Sequence, residues 1–489
     1  MRKQQYVEDL VQSLTTKKID MLARQIPYMG GTAYVCYIAQ LADRQAISQM
    51  VIKPLQDHCS DSRQAVTAEY AVNNLLFADQ CQLDDDLNKV ETYVLSGQTV
   101  VLFSADRQYA VVNLKKVEKR AVAEPELMYS LRGPRDAFVE DLDTNLSLLR
   151  YRLKDGNIRI VRRQVGARTK STVAVVYIED IANPRVIDEI SKMIDDINID
   201  GIYETGELQS FLKHQPNSLF PRMGIIERSD MAVEELLEGK VLVLMDGSNT
   251  ALHAPKVFAE FLYSCDDRYD NKYFGLFTRL IRYVAVFLFI TLSSYYIAMG
   301  EFHYDVMPAS YIVTFAQMRA RAPFSSFIAV LSIEFIIELM REALLRVPVK
   351  IGSAIAIVGA IIIGQAATAS GIYSPLLLIL VSIAFLSSFA IPDITLAHPL
   401  RILKFLVIIM TGFLGFYGFA LAITLTLSLV VSIDSFGVPF AAPWAPFNFY
   451  DFLRTLTFSK RSSPKRQQYM RNKDGTRAPE ANPKKGNPQ

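Results

Sequence analysis

The sequence predicts a multidomain membrane protein: a two-lobed α/β cytoplasmic N-terminal domain followed by an all-α helical transmembrane domain. The first observation behind this is a split in composition. A long polar, charge-mixed stretch gives way to four uncharged runs, Tyr283–Met299, Ile351–Ser370, Ile372–Ile391 and Phe405–Ser432. A hydrocarbon core about 30 Å thick is crossed by roughly 20 apolar residues of helix. The second observation is the mixture of strand and helix signals before residue 280. Thr99–Ser104 and Tyr109–Leu114 read as strands around Ala105-Asp106-Arg107-Gln108. Thr172–Ile178 reads as a strand followed by a helix over Val186–Ile197, and Lys240–Met245 opens a hairpin at Asp246-Gly247.

Taken in order, residues 1–29 form an N-terminal segment, of which 1–28 read as a mobile or docking helix, and 30–132 a first α/β subdomain. Residues 133–155 are a connecting helix. Phe138, Leu142, Leu146 and Leu149 recur there at helical spacing between Gly133-Pro134 and Asp155-Gly156-Asn157. Residues 156–275 are the second α/β subdomain. Leu95–Leu102 resembles Leu237–Leu244, and each follows a predicted helix and opens a hairpin, as two related lobes would require. The transmembrane domain is 280–453, with spans near 281–299, 351–370, 372–391 and 402–432. An amphipathic or re-entrant helix is expected over 324–347, because Glu334, Glu338, Arg341 and Glu342 interrupt its apolar pattern. Residues 454–489 are a basic, disordered cytoplasmic tail, with ten Lys/Arg against Asp474 and Glu480.

Loop charge sets the expected topology. Lys272, Arg279 and Arg282 precede the first run and Glu301 and Asp305 follow it, so the head and both termini are cytoplasmic and the number of crossings is even. The net charge of +2 averages two unlike parts. The start is basic without an apolar run, so no cleaved signal peptide is expected. The four cysteines lack metal-ligand spacing and read as free thiols. The five histidines are scattered, and neither a glycine-rich phosphate loop nor a recognisable nucleophile–base arrangement is present. The expectation is no enzyme, no metal, no cofactor and no nucleic-acid partner.

From Arg132-Gly133-Pro134-Arg135-Asp136-Ala137-Phe138-Val139-Glu140-Asp141 and Thr144-Asn145-Leu146, the chain resembles the A subunit of bacterial spore germination receptors, the GerA type. The resemblance continues at Arg168-Thr169-Lys170, Val175–Pro184, Ile199-Asp200-Gly201 and Asn217–Pro221. It returns at Glu338–Ala343, Ile363–Ala367, Ser388–Pro392 and Ser435–Pro439, so it spans roughly residues 90–450. The resemblance implies a spore inner-membrane protein working with a transporter-like B subunit that binds the nutrient and a lipoprotein C subunit. It further implies a homo-oligomer, with a pentamer as the suggested number, that forms a nutrient-gated channel for monovalent cations. The alternatives are the related homologue of the dipicolinate-release operon and a non-conducting assembly scaffold.

Local patterns bear on a channel. Glu334, Glu338 and Glu342 fall at i, i+4 and i+8 of one helix, with Arg341 placed to pair with Glu338. Around an oligomer axis such carboxylates would make acidic rings. Gly352, Ala356, Ala360 and Gly364 recur every four residues and permit close helix packing against membrane neighbours. On a neighbouring face, Val358, Ile361, Ile362 and Gln365 are the candidate gate of an apolar constriction. Gly412, Gly415 and Gly418 offer a packing groove or flex point in the long last run, which must tilt, kink or protrude.

Overall fold

In the computed structural model the described residues are 7–8, 11–12, 21–28, 31–61, 66–115, 133–134, 136–212, 218–269, 272–306, 308–319, 323–344, 346–347, 364–365, 369, 371–457 and 465–476. The chain divides into two units. Residues 1–214, 223–255 and 464–478 make the first, and 215–222, 256–463 and 479–489 the second.

Among its described residues the first unit holds two five-stranded antiparallel sheets. One contains β1 (Met21–Tyr28), β2 (Gly31–Ile38), β3 (Cys81–Asp84), β4 (Thr99–Phe103) and β5 (Tyr109–Val112), in the order β1-β2-β4-β5-β3. The other contains β6 (Ile158–Val165), β7 (Ser171–Ile178), β8 (Gly224–Ile226), β9 (Val241–Met245) and β10 (Ala251–Ala254), in the order β6-β7-β9-β10-β8. Each order is first, second, fourth, fifth, third along the chain, so the lobes share one topology. The repeated octapeptide occupies equivalent places. A helix, α3 (Val90–Leu95) or α7 (Ser229–Leu237), ends at a positive-φ glycine, Gly97 or Gly239, and the fourth strand follows. β4 and β9 are buried along their whole length and so read as unbroken apolar runs.

In the first lobe α1 (Arg44–Ile47) and α2 (Lys53–Asp61) cover one face of the sheet. Val7, Val11 and α3 cover the other. The docking helix expected over 1–28 is corrected from Met21 onward: that stretch is β1, paired in register with β2. β1 is an edge strand with alternating buried and exposed positions, including Arg24 and Gln25, which hid it from an apolar-run reading.

In the second lobe α4 (Leu142–Arg152) lies in the core, with Leu142, Leu146 and Leu149 against Ile158, Ala174 and Leu236. The helix expected as a connector is thus a core element of this lobe. α5 (Pro184–Asp195) starts at the N-cap Asn183 with Pro184 in its first turn. α6 (Thr205–Phe211) precedes β8. The Arg168 and Thr169 amides donate to the Asp200 carbonyl, at 2.8 and 3.3 Å, so two motifs some thirty residues apart hold each other.

The second unit is helical: α8 (Lys272–Ile297), α9 (Ala309–Arg319), α10 (Ser326–Leu344), α11 (Pro375–Ser388), α12 (Ile394–Ser432) and α13 (Phe449–Thr457). Among the described residues two helices are long and apolar enough to cross a membrane, Tyr273–Phe302 with 30 residues and Ile394–Ser432 with 39. α11, at 14 residues, rises about 21 Å at 1.5 Å per residue. Its start is set by Ser374, whose Oγ accepts from the Leu377 amide at 3.2 Å, and by Pro375. The helix that covers the span expected from 402 begins at Ile394, because Asp393 caps it through the Thr395 amide at 2.9 Å. Pro399 lies inside the helix, where it leaves the Thr395 carbonyl without its intrahelical donor and crowds it with its ring. α12 breaks at Gly415 (φ 60°, ψ −140°). A Cβ there would lie 2.8 Å from Phe302 Cγ.

Residues 454–489 were expected as one disordered tail. Arg454 to Thr457 instead finish α13, and residues 465–476 lie on the second lobe of the first unit. Met470 supplies the apolar anchor, and Arg466 and Asn472 bond backbone carbonyls of the lobe.

Candidate functional site

Among the described residues no group of three or more His, Cys, Asp or Glu is arranged to hold a metal ion. The chemistry of the helical unit is concentrated on α10, where the three predicted carboxylates are found. Four residues advance an α-helix by about 400°, so each carboxylate is turned about 40° from the last. The side chains accordingly grade from buried to exposed, at 1%, 22% and 61% for Glu334, Glu338 and Glu342.

Each has a partner. Glu334 Oε2 accepts from Lys404 Nζ of α12 at 2.5 Å, and Ser293 Oγ of α8 donates to Oε1 at 2.6 Å. Lys404 Nζ also lies 4.8 Å from the centre of the Phe289 ring. Three helices therefore meet at one buried ion pair. Glu338 Oε2 faces Arg401 Nη1 at 3.4 Å and Arg341 Nε at 4.0 Å. The predicted Glu338–Arg341 pairing is present in this shared form. Arg341 reaches on to α11, donating to Ser388 Oγ at 3.3 Å and lying 5.2 Å from the Phe385 ring centre. Glu342 pairs with Arg346 at 2.8 Å on the exposed side. Glu301 accepts from the Phe327 amide at 3.0 Å and so caps the start of α10.

Of the other predicted residues, Gln365 is helical and exposed and Gly364 is helical and half-buried. Val358, Ile361, Ile362, Gly352, Ala356 and Ala360 lie outside the described residues. Lys404, Arg401 and Ser293 were missed. Arg401 and Lys404 stand three residues apart at the head of the last apolar run, and opposite charges at the ends of neighbouring apolar helices are the signal that would have found them. Two of the three basic residues used for topology face one carboxylate: Arg282 Nη1 lies 2.5 Å and Arg279 Nη2 3.8 Å from Asp267 Oδ2.

A second constellation in this unit joins distant motifs. Phe220 and Phe440 rings sit 5.6 Å apart, with Phe258 and Trp444 beside them. Ser435 Oγ donates to the Arg222 carbonyl at 3.0 Å. The turn between β11 (Asp434–Ser435) and β12 (Val438–Pro439) has positive φ at both Phe436 and Gly437, the geometry of a two-residue type I′ hairpin. Lys256 Nζ bonds Asp393 Oδ2 at 2.6 Å, tying the segment after β10 to the cap of α12.

In the first unit the conspicuous motif is structural. Asn145, buried in α4, clamps one residue twice: its Oδ1 accepts from the Val139 amide at 2.8 Å and its Nδ2 donates to the Val139 carbonyl at 2.5 Å. Asp136 accepts from Arg152 and, at 2.9 Å, from Ser229 Oγ. Burial pushes the Asp136 carboxyl up, but these donors together hold it below the usual carboxylate range. Burial alone pushes the Cys36 thiol up to about 12, leaving it inert.

Comparison with known proteins agrees with these motifs. The profile of the Bacillus/Clostridium GerA spore germination protein family matches residues 8–469. Spore germination protein B1 of Bacillus subtilis is 34% identical over 412 residues, covering 84% of this chain and 85% of the relative. Spore germination protein KA of the same organism is 32% identical over 415 residues, 85% and 76% of the two chains. The crystal structure of the N-terminal domain of the A subunit of the Bacillus megaterium spore germinant receptor GerK3 aligns with a TM-score of 0.38 at 23% identity, covering 51% of this chain and 93% of that one. A match over nearly the whole length, with the motifs of both units inside it, places this chain in the GerA family of spore germination proteins.

Proposed function

We propose that this chain is the A subunit of a nutrient germinant receptor in the spore inner membrane and that it oligomerises, with a pentamer as the working number, into a nutrient-gated channel for monovalent cations. Its partners are a transporter-like B subunit and a lipoprotein C subunit, in a four-span arrangement with both termini cytoplasmic. The observation that carries the channel is the graded line of carboxylates on α10, with Arg401 and Lys404 of α12 facing Glu338 and Glu334, beside an uncharged α11 and an α12 that is uncharged after Lys404. Ionisable groups are costly at membrane depth and are kept where they hold or conduct something. In this reading Glu334 is the fixed anchor of the helices, and Glu338 and Glu342 face the cation path. The constriction is formed by Val358, Ile361, Ile362 and Gln365, with Gly352, Ala356, Ala360 and Gly364 letting the helices close together. Nutrient on the B subunit opens the channel by binding the open form more tightly. The pairing of Glu334 and Glu338 within the chain favours, as a second reading, a non-conducting scaffold.

Potassium flux from liposomes holding the chain, alone and with its partners, before and after nutrient, separates these readings. A channel gives nutrient-dependent flux, resting leak in Val358→Ala and reduced flux in Glu338→Gln. Tight, correctly assembled vesicles that stay closed under every condition favour the scaffold.

A further inference from the structure

The two lobes of the first unit share a topology but are finished differently. In the first lobe the chain simply continues past β5. The Asp43 amide donates to the Leu114 carbonyl at 2.9 Å, Ala42 and Lys115 form a bridge, and Lys115 lies over Gly97. In the second lobe the chain leaves after β10 at Pro255 for the other unit, so nothing directly after β10 is available to cover the equivalent place. That place, between the N-cap Asn183 and Gly239, is occupied by residues from the far end of the sequence. Asn183 is the counterpart of the N-cap Asp43, and Gly239 of Gly97.

The occupying segment is built for its seat. The Lys473 amide donates to the Ile181 carbonyl at 3.0 Å, and its Nζ to the Glu179 carbonyl at 3.1 Å. Asn472 Nδ2 donates to the Glu238 carbonyl at 2.6 Å, and a Cβ on Gly239 would lie 2.5 Å from that amide side chain. Asn183 Nδ2 donates to the Met470 carbonyl at 3.3 Å, and Arg466 Nε to the Leu237 carbonyl at 2.9 Å. Met470 is 1% exposed. The segment is also closed on itself: the Arg466 amide donates to the Gly475 carbonyl at 2.7 Å, and Lys465 bridges Thr476. Five bonds to the lobe come from eight residues, one of them to the last residue of α7 and one to the turn ahead of β9, and one methionine is sealed in.

We infer that the second lobe carries a binding surface for the chain's own C-terminal segment, residues 465–476, which completes this lobe as Leu114–Lys115 completes the first. This inference is independent of whether the protein conducts ions.

The test is hydrogen exchange and limited trypsin cleavage on the full chain in nanodiscs. In the unmodified protein the amides of Arg466, Met470, Arg471 and Lys473 should exchange at least tenfold more slowly than an unstructured chain, with cleavage at Arg466 and Lys473 suppressed to match. Met470→Asp should abolish both protections and speed exchange over Ile181–Asn183 and Leu237–Gly239, leaving β4 and β5 of the first lobe unchanged. Asn472→Ala, which removes a single bond, should give a smaller, several-fold change at the same residues and covers the case in which Met470→Asp disturbs folding. Exchange of the segment at unstructured rates in the unmodified protein would overturn the inference. So would Met470→Asp and Asn472→Ala chains whose lobe exchanges as before.

Discussion

Asp136 and Asn145 show what the family motif does at the scale of single residues. Asp136 receives Arg152 and Ser229, and so joins the strand-like segment ahead of α4, the end of α4 and the start of α7. Its folded pKa lies below its unfolded one, so its contribution is present above about pH 4 and is lost as pH falls through the folded value. Asp136→Asn should cost about 1–2 kcal/mol at neutral pH, a modest figure because the pair is partly exposed. The deficit should shrink on acidification below pH ~4. Chemical denaturation of the purified protein at several pH values checks both size and sign. Asn145→Ala strands the Val139 amide and carbonyl together and should cost about 2–4 kcal/mol, with no such pH dependence. None of this was readable as chemistry in the sequence, since Asp136 and Asn145 gain their roles only from partners on other elements.

At the scale of elements, the meeting of α8, α10 and α12 rests on Glu334, Lys404 and Ser293. Removing one partner of a buried pair leaves an unpaired charge and costs about 3–5 kcal/mol, whereas replacing both with well-packed apolar groups is close to neutral. Glu334→Ala should therefore lower the melting temperature in detergent sharply, and Glu334→Leu with Lys404→Met should recover most of the loss. Gly415 breaks α12 at φ 60° with Phe302 against it. Gly415→Ala should cost about 1–3 kcal/mol through backbone strain and should shift the Phe302 contact, seen as a lower melting temperature. The glycines of the last run and the length of that run pointed to a kink or a packing groove, but which glycine bends depends on Phe302, a residue on another element. The carboxylate stripe was legible because helical periodicity alone aligns Glu334, Glu338 and Glu342. Their basic partners were not, because Arg401 and Lys404 lie 63 and 70 residues beyond the carboxylates they face.

At the scale of the molecule, the duplication in the first unit makes a comparison between equivalent glycines possible. Gly97→Ala and Gly239→Ala each force a residue with a side chain into positive φ, but the second also displaces Asn472. Gly239→Ala should be the more destabilising by about 1 kcal/mol, and the excess should vanish when Asn472 is also Ala, a double-mutant cycle read by denaturation. The sequence by itself determined the split into a polar head and an apolar helical part, the central strands β4, β7 and β9, the octapeptide repeat and the family, because these follow from local composition and period. It did not determine the edge strands β1 and β6, whose half-exposed patterns match no apolar run, nor the place of α4, whose apolar stripe is the same for a connector and a core helix. Only the tertiary structure decided which charges neutralise one another and where the C-terminal segment sits. Those outcomes depend on pairings between residues distant in the chain, and a single sequence carries no record of which distant groups meet.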